Sequence, residues 1–191
     1  MRRCAFALVL LFSCAGFGRI AVAADTARSY TIDPAHSQLE IIGIESGGEV
    51  RAVFKKYSAA VAFAPDALAT SKADVVIDMS SIDSQDKDRD AALRGPDLFD
   101  AAQFPTAHFV TRSFGLSERG FSAFGTLTMH GVTKNLVVFF NFAQSDDGPI
   151  MEGAARIKRL DFGVGKGKWE GFQELADSVR IKFKILLMPK K

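Results

Sequence analysis

Apolar and polar residues alternate along most of this chain, and a period of two is the spacing of a strand with one face buried and the other in water. In the C-terminal segment Val179, Ile181, Phe183, Ile185 and Leu187 fall on one face, with Arg180, Lys182 and Lys184 on the other. Val75, Ile77 and Met79 repeat the pattern against Asp78 and Ser80. Tyr57, Ala59, Val61 and Phe63 follow it too, as do Leu136, Val138, Phe140 and Phe142. Turn residues separate the runs: Gly47-Gly48, Ala64-Pro65-Asp66, Glu118-Arg119-Gly120, Gly131 and Asp146-Asp147-Gly148-Pro149. About eight strands emerge with no strand-helix-strand rhythm, which predicts an all-β, antiparallel up-and-down barrel.

One interruption reads as helical. The segment Asp86 to Arg94 begins acidic, ends basic and stops at Gly95-Pro96, in accord with the helix dipole and the usual stop signals. A second short turn is expected over Asp97 to Ala101. No internal repeat, low-complexity segment or linker divides the chain, so a single domain is expected over residues 24–191.

Residues 1–23 read as a signal peptide. Arg2 and Arg3 precede an apolar run from Cys4 to Phe17, and Ala21-Val22-Ala23 supplies the small-x-small cleavage pattern. The run falls short of the roughly 20 apolar residues of a spanning helix. Leu11-Phe12-Ser13-Cys14 loosely resembles a lipidation signal, but Phe12 is bulky for that position and the cleavage pattern lies downstream. Both cysteines, Cys4 and Cys14, fall inside the segment, leaving the remainder without disulfide or thiol chemistry. A periplasmic location follows as the expectation.

Removal of this segment also changes the charge. The chain has 24 basic and 22 acidic residues, and Arg2, Arg3 and Arg19 lie in the segment, so the rest is near −1. No broad positive field remains for nucleic acid. Of 17 phenylalanines, Phe6, Phe12 and Phe17 also leave, against two tyrosines and one tryptophan in the whole chain. Phenylalanine adds apolar area without a polar tip to satisfy, so the composition suits either a dry β core or an apolar cavity.

The chemistry-bearing patterns are weak. Asp86-x-Asp88-x-Asp90 lacks the glycine and the final glutamate of a calcium loop, and reads as a charged helix start. Gly163-Val164-Gly165-Lys166-Gly167-Lys168 lacks the Ser or Thr of a phosphate loop. Lys166 and Lys168 could nevertheless meet a polar or anionic headgroup at a barrel mouth. His36, His108 and His130 show no metal-ligand spacing, and Ser37 beside His36 points to the opposite face of a strand. No Gly-x-Ser-x-Gly elbow exists. No catalytic residue, metal or cofactor is expected.

Several phrases together resemble the YceI-like polyisoprenoid-binding family. They begin with Tyr30-Thr31-Ile32-Asp33-Pro34-Ala35-His36-Ser37, then Phe54-Lys55-Lys56-Tyr57 leading to Val61-Ala62-Phe63-Ala64-Pro65. The central block runs from Ile82-Asp83 through Arg89-Asp90 and Leu93-Arg94-Gly95-Pro96-Asp97-Leu98-Phe99-Asp100 to Phe104-Pro105-Thr106-Ala107-His108-Phe109. Leu127-Thr128-Met129-His130-Gly131-Val132-Thr133-Lys134 and Arg159-Leu160-Asp161-Phe162-Gly163 follow in family order. The central block and the phrase around His130 are the specific ones. The segment Gly43 to Val50 departs from the family by lacking a His-Leu-Gly-like phrase. Asp161-Phe162-Gly163-Val164-Gly165 followed by Trp169 and then Ala176-Asp177-Ser178-Val179-Arg180 is similar to a subgroup associated with membrane cytochromes and quinones.

The resemblance implies an extended eight-stranded lipocalin-like barrel, typically periplasmic, whose pore binds a long-chain isoprenoid or related amphiphile. An isoprenoid quinone is the ligand its subgroup suggests, with transient contact to a membrane or membrane cytochrome. Alternate large apolar residues are the expected pore wall: Phe54, Val61, Phe63, Ile77, Met79, Phe109, Leu127, Phe140, Phe162, Trp169, Ile181 and Phe183. His36, Arg89, Asp90, His130 and Asp161 read as framework. Val137 and Phe139 make one strand apolar on both sides, so a helix, or a second copy in a homodimer, is expected to cover them. An enzyme acting on such a lipid, or a ligandless stress-related protein, are the competing readings.

Overall fold

The computed structural model describes residues 26–118, 120–165, 169–170 and 174–190. The expected signal peptide and the lysine pair Lys166 and Lys168 lie outside the described residues. The strands are β1 (Arg28–Ile32), β2 (Gln38–Glu45), β3 (Gly48–Phe54), β4 (Tyr57–Phe63), β5 (Lys72–Asp78), β6 (Ile82–Asp83), β7 (Thr106–Ser117), β8 (Gly120–Met129), β9 (Val132–Ser145), β10 (Gly148–Lys158) and β11 (Ser178–Pro189). One α-helix, α1 (Lys87–Arg94), lies between β6 and β7.

All pairings between these strands are antiparallel, and three strands of the barrel are broken in two. β1 pairs with β11 at Leu187–Pro189, while β2 pairs with it at Arg180–Lys184. The two are halves of one strand, interrupted where Pro34 fixes the backbone and Asp33 accepts a hydrogen bond from the Ala35 N–H. β3 and β4 are likewise halves, as are β5 and β6: β4 pairs with β1 and β5, whereas β3 pairs with β2 and β6. The second and third breaks are tied together, since Lys55 N–H donates to the Ser81 carbonyl (3.1 Å) and Lys56 N–H to Ser81 Oγ (3.0 Å). With the halves joined, the order is an eight-stranded meander, closed where the first strand meets β11. The all-β antiparallel barrel with one short helix is therefore the fold.

Tight turns hold the register. His130 and Gly131, at φ 53° and 74°, form the two-residue link between β8 and β9. That pair of left-handed residues matches the twist of the strands it joins. Ser46 and Gly47, at φ 47° and 83°, do the same between β2 and β3.

The helix begins and ends where its local signals stand. Asp86 caps it by accepting from the N–H groups of Asp88 and Arg89, both at 3.0 Å, and Gly95 follows its last residue. Asp90 turns inward and accepts from Ser84 N–H and Ser84 Oγ, both at 2.7 Å, so this acidic triplet is helix framework. Among the described residues no cluster of three potential metal ligands occurs. Asp97 to Ala101 forms hydrogen-bonded turns, with Phe99 N–H donating to the Leu93 carbonyl.

These caps carry a pH prediction. Hydrogen bonding from the Arg89 N–H, and then the Arg89 charge, hold the Asp86 carboxyl below its ordinary value of 3.8. A depressed folded value means that the cap contributes fully above the unfolded value and is lost as pH falls through the folded one. Asp86→Ala is expected to speed hydrogen exchange of the amides of residues 87–94 at neutral pH. The wild type should lose the same protection, relative to the intrinsic exchange rate at each pH, only as pH falls below 3.8 and through the depressed folded value, with the protection of strand amides unaffected in both.

The inward face of β11 shows how the barrel is filled. Along one face, Val179 borders a wide compartment, Ile181 borders both a wide and a narrow one, and Phe183, Ile185 and Leu187 border the narrow one. Beyond it lies a packed aromatic end, where Phe63 is 1% exposed among Phe114, Phe121, Phe140 and Phe142.

On the outer face, the helix does not cover Val137 and Phe139. Val137 is 40% exposed and Phe139 56%, with Phe124 beside Val137 in the β8–β9 register. The helix packs at the wide end of the barrel, because its apolar residues Ala92 and Leu93 border the compartment there.

Candidate functional site: a two-lobed apolar cavity

The interior holds two adjoining lobes, an outer one of about 410 Å³ and an inner one of about 150 Å³. Leu39, Ile77, Leu127 and Ile181 border both and form the waist between them. The broken strands explain the division. Half-strands β2 and β3 contribute Leu39, Ile41, Val50, Ala52 and Phe54 to the outer lobe, and β4 and β5 contribute Tyr57, Ala59, Val61, Ala73 and Val75 to the inner one. An eight-stranded barrel has room for filling side chains or one slim ligand. Here part of that room is left open.

Ten of the expected wall residues border these lobes. Phe54, Met79 and Trp169 line the outer lobe, while Val61, Phe109, Phe140 and Phe183 line the inner one, and Ile77, Leu127 and Ile181 form part of the waist. Phe63 and Phe162 do not. Phe63 shares the parity of Val61 but lies where the barrel closes, so aromatic rings meet it instead of open space. Phe162 lies in a 3₁₀ turn (Arg159–Phe162) after β10, where strand parity no longer applies. It packs in the core while its carbonyl meets His130 Nδ1 at 3.1 Å.

Sequence reasoning missed three groups around the outer lobe. Leu93, Leu98 and Phe99 close it from the helix and the following turns; the helical spacing of Leu93 was a visible signal. Glu45, Asp86, Asp88 and Arg89 give it a polar edge, where Arg89 Nε lies 3.6 Å from Glu45 and Nη2 3.8 Å from Asp86. Arg159, only 2% exposed, borders the same lobe. Its guanidinium donates to the carbonyls of Val164 (2.9 Å), Gly165 (3.2 Å), Leu175 (2.8 Å), Ala176 (3.2 Å) and Trp169. Burial lowers its pKa, and the charge of Asp177 opposes that shift. Arg159 thereby ties together the described parts of the β10–β11 connection, of which Val164, Trp169 and Leu175 border the outer lobe.

The histidines are engaged apart from the cavity. His36 Nδ1 meets Asp33 at 2.9 Å, His108 Nε2 meets Asp74 at 2.7 Å, and the His130 ring packs on Phe104. None of the three borders either lobe.

A barrel of this topology with an open apolar interior is matched by a family model for the YceI-like domain over residues 30–187. The chain belongs to the YceI-like family. A UPF0312 protein of Vibrio vulnificus is 29% identical to this YceI-like chain over 151 residues, covering 74% of this chain and 80% of that protein. Among solved structures, BcnA of Burkholderia cenocepacia superposes with a TM-score of 0.78 at 31% identity, covering 82% of this chain and 99% of BcnA. A polyisoprenoid binding domain from Saccharophagus degradans shares the fold, with a TM-score of 0.64 at 18% identity over 85% of this chain and 99% of that domain.

Proposed function

We propose that this YceI-like protein binds and carries a long isoprenoid-type lipid in the periplasm, with an isoprenoid quinone as the favoured ligand. The two-lobed apolar cavity carries this reading. Its larger lobe falls in the roughly 300–1,000 Å³ range of small-molecule sites. Apolar lipid surface removed from water contributes about 25 cal/mol per Å², so a tail needs few polar contacts. The Saccharophagus degradans domain of the same fold is described as polyisoprenoid-binding, which supports the ligand class. The signal-like residues 1–23 support export, and the residues similar to the quinone-associated subgroup support the quinone. The exposed Val137 and Phe139 would suit contact with a membrane, a membrane cytochrome or a second copy.

Organic extraction and mass spectrometry of the purified protein test the proposal. A stoichiometric isoprenoid is the expected result. A protein that emerges empty and then takes up neither added quinone nor added polyprenol would overturn it. The competing enzyme reading requires turnover of such a lipid that is lost on changing His36 or His130. Neither residue borders the cavity, which favours the carrier.

A further inference from the structure

The outward side chains of β8 to β11 divide into an apolar half and a cationic half. Phe139 lies between Ser122 of β8 and Ala154 of β10 in the strand register, so its exposed ring stands above small neighbours. Val137 and Phe124, the next outward pair on β9 and β8, extend the apolar half. On β10 and β11 the outward positions carry Arg156, Lys158, Arg180, Lys182 and Lys184, all exposed, against one carboxylate, Glu152. Lys182 is the register partner of Ala154, which puts it two strands, about 10 Å, from Phe139. Among the described residues, Arg180 alone of these cations has a carboxylate within ion-pair distance, Glu49 at 4.0 Å.

Folding does not account for this arrangement. Arg156 and Arg180 are direct cross-strand partners, and like charges so placed destabilise a sheet. An exposed phenylalanine likewise leaves its apolar area in water. A surface that is anionic outside and apolar beneath relieves both costs. We propose that the outer face of β8 to β11 docks on an anionic lipid bilayer. Phe139 and Val137 enter the acyl boundary, and the cations of β10 and β11 lie among the headgroups. An apolar face beside a strongly basic one is the arrangement that binds membrane interfaces. Long Lys and Arg stems reach round the curve of the barrel to the headgroup level. A second copy fits less well, because a self-complementary contact brings the same cations near each other. Lysine is also depleted in protein–protein interfaces, and Lys158, Lys182 and Lys184 are among the cations here. Beyond residue 23 the chain is near neutral, so the attraction comes from the placement of its charges and not from their sum.

This inference deepens the membrane contact suggested for Val137 and Phe139 and does not depend on what the cavity holds. Wild type, Phe139→Ser, Arg156→Glu and Lys72→Glu are co-sedimented with vesicles of phosphatidylcholine, alone or mixed with phosphatidylglycerol. The wild type is expected to bind the mixed vesicles over the neutral ones and to be released by high salt. Phe139→Ser and Arg156→Glu should each weaken binding roughly tenfold, the scale of one lost apolar contact or one reversed charge at an anionic surface. Lys72 is exposed on β5, on the opposite side of the barrel from β10, so Lys72→Glu makes the same charge change away from the face and should bind as the wild type does. Arg156→Glu should melt at or above the wild-type temperature, since it turns a like-charge pair into an opposite one. No binding of the wild type to mixed vesicles, or equal binding to neutral ones, would overturn the docking face and leave the carrier reading standing. So would unchanged binding in Phe139→Ser or Arg156→Glu, or an equal loss in Lys72→Glu. Self-association abolished by Phe139→Ser, without vesicle binding, would overturn it in favour of a second copy. An empty barrel that takes up no isoprenoid, with vesicle binding intact, would overturn the carrier alone.

Discussion

Phe63→Ala is expected to cost about 3–5 kcal/mol of folding stability, the range for truncating a buried aromatic. Phe63 is 1% exposed, and its ring centroid lies 4.9 Å from that of Phe142, 5.2 Å from Phe121, 5.5 Å from Phe140 and 5.6 Å from Phe114. Four rings cannot collapse into the vacated volume without leaving their own contacts, so the loss should sit high in the range. At roughly 2–4 °C per kcal/mol for a domain of this size, the melting temperature should fall by about 6–20 °C. The same change has a functional reading. Phe114 and Phe140 border the inner lobe, so removing the ring behind them extends that lobe toward the closed end. Under the lipid-binding proposal the variant should accept longer tails than the wild type. Unfolding monitored by circular dichroism and binding measured across a chain-length series check the two halves separately. A loss below about 1 kcal/mol would show that the aromatic end repacks freely.

Arg159→Leu is expected to cost at least about 2 kcal/mol, because two or more buried carbonyls would lose their donor at about 1–3 kcal/mol each. The effect should be local. Val164, Trp169 and Leu175 border the outer lobe, and the Arg159 guanidinium holds the carbonyls of all three. Hydrogen exchange should therefore accelerate at Val164 and across residues 174–177, while β7, β8 and β9 keep their protection. Arg159→Lys keeps the charge, but its compact ammonium lacks the planar fork, so it should rescue only part of the loss. Full rescue by lysine would mean that charge rather than fork geometry holds the loop. Exchange unchanged in Arg159→Leu would mean that other contacts do.

Much of the barrel was legible because its determinants are local. Period-two alternation in Val179, Ile181, Phe183, Ile185 and Leu187 assigns an inner face from neighbouring residues alone, and those five side chains do border the cavity. Asp86 and Gly95-Pro96 mark the helix ends for the same reason: capping and termination act within one turn.

Parity, however, tells only which way a side chain points. It cannot tell whether open space or another ring lies ahead, and that is where Phe63 and Val61 part. Four rings from other strands pack onto Phe63, while Val61 faces the inner lobe. The division into two lobes depends on breaks in three strands whose residues are far apart in sequence, such as Lys56 and Ser81. The role of Arg159 depends on carbonyls up to 17 residues away. Among the described residues no hydrogen-bonding group reaches the buried Tyr57 hydroxyl, a property of the assembled core and not of its neighbours in sequence. Sequence alone thus determined the strands, their inner faces, the helix ends and the family phrases. Only the closed tertiary structure decided which inner faces touch one another and which enclose a cavity, because a void is defined by side chains brought together from distant parts of the chain.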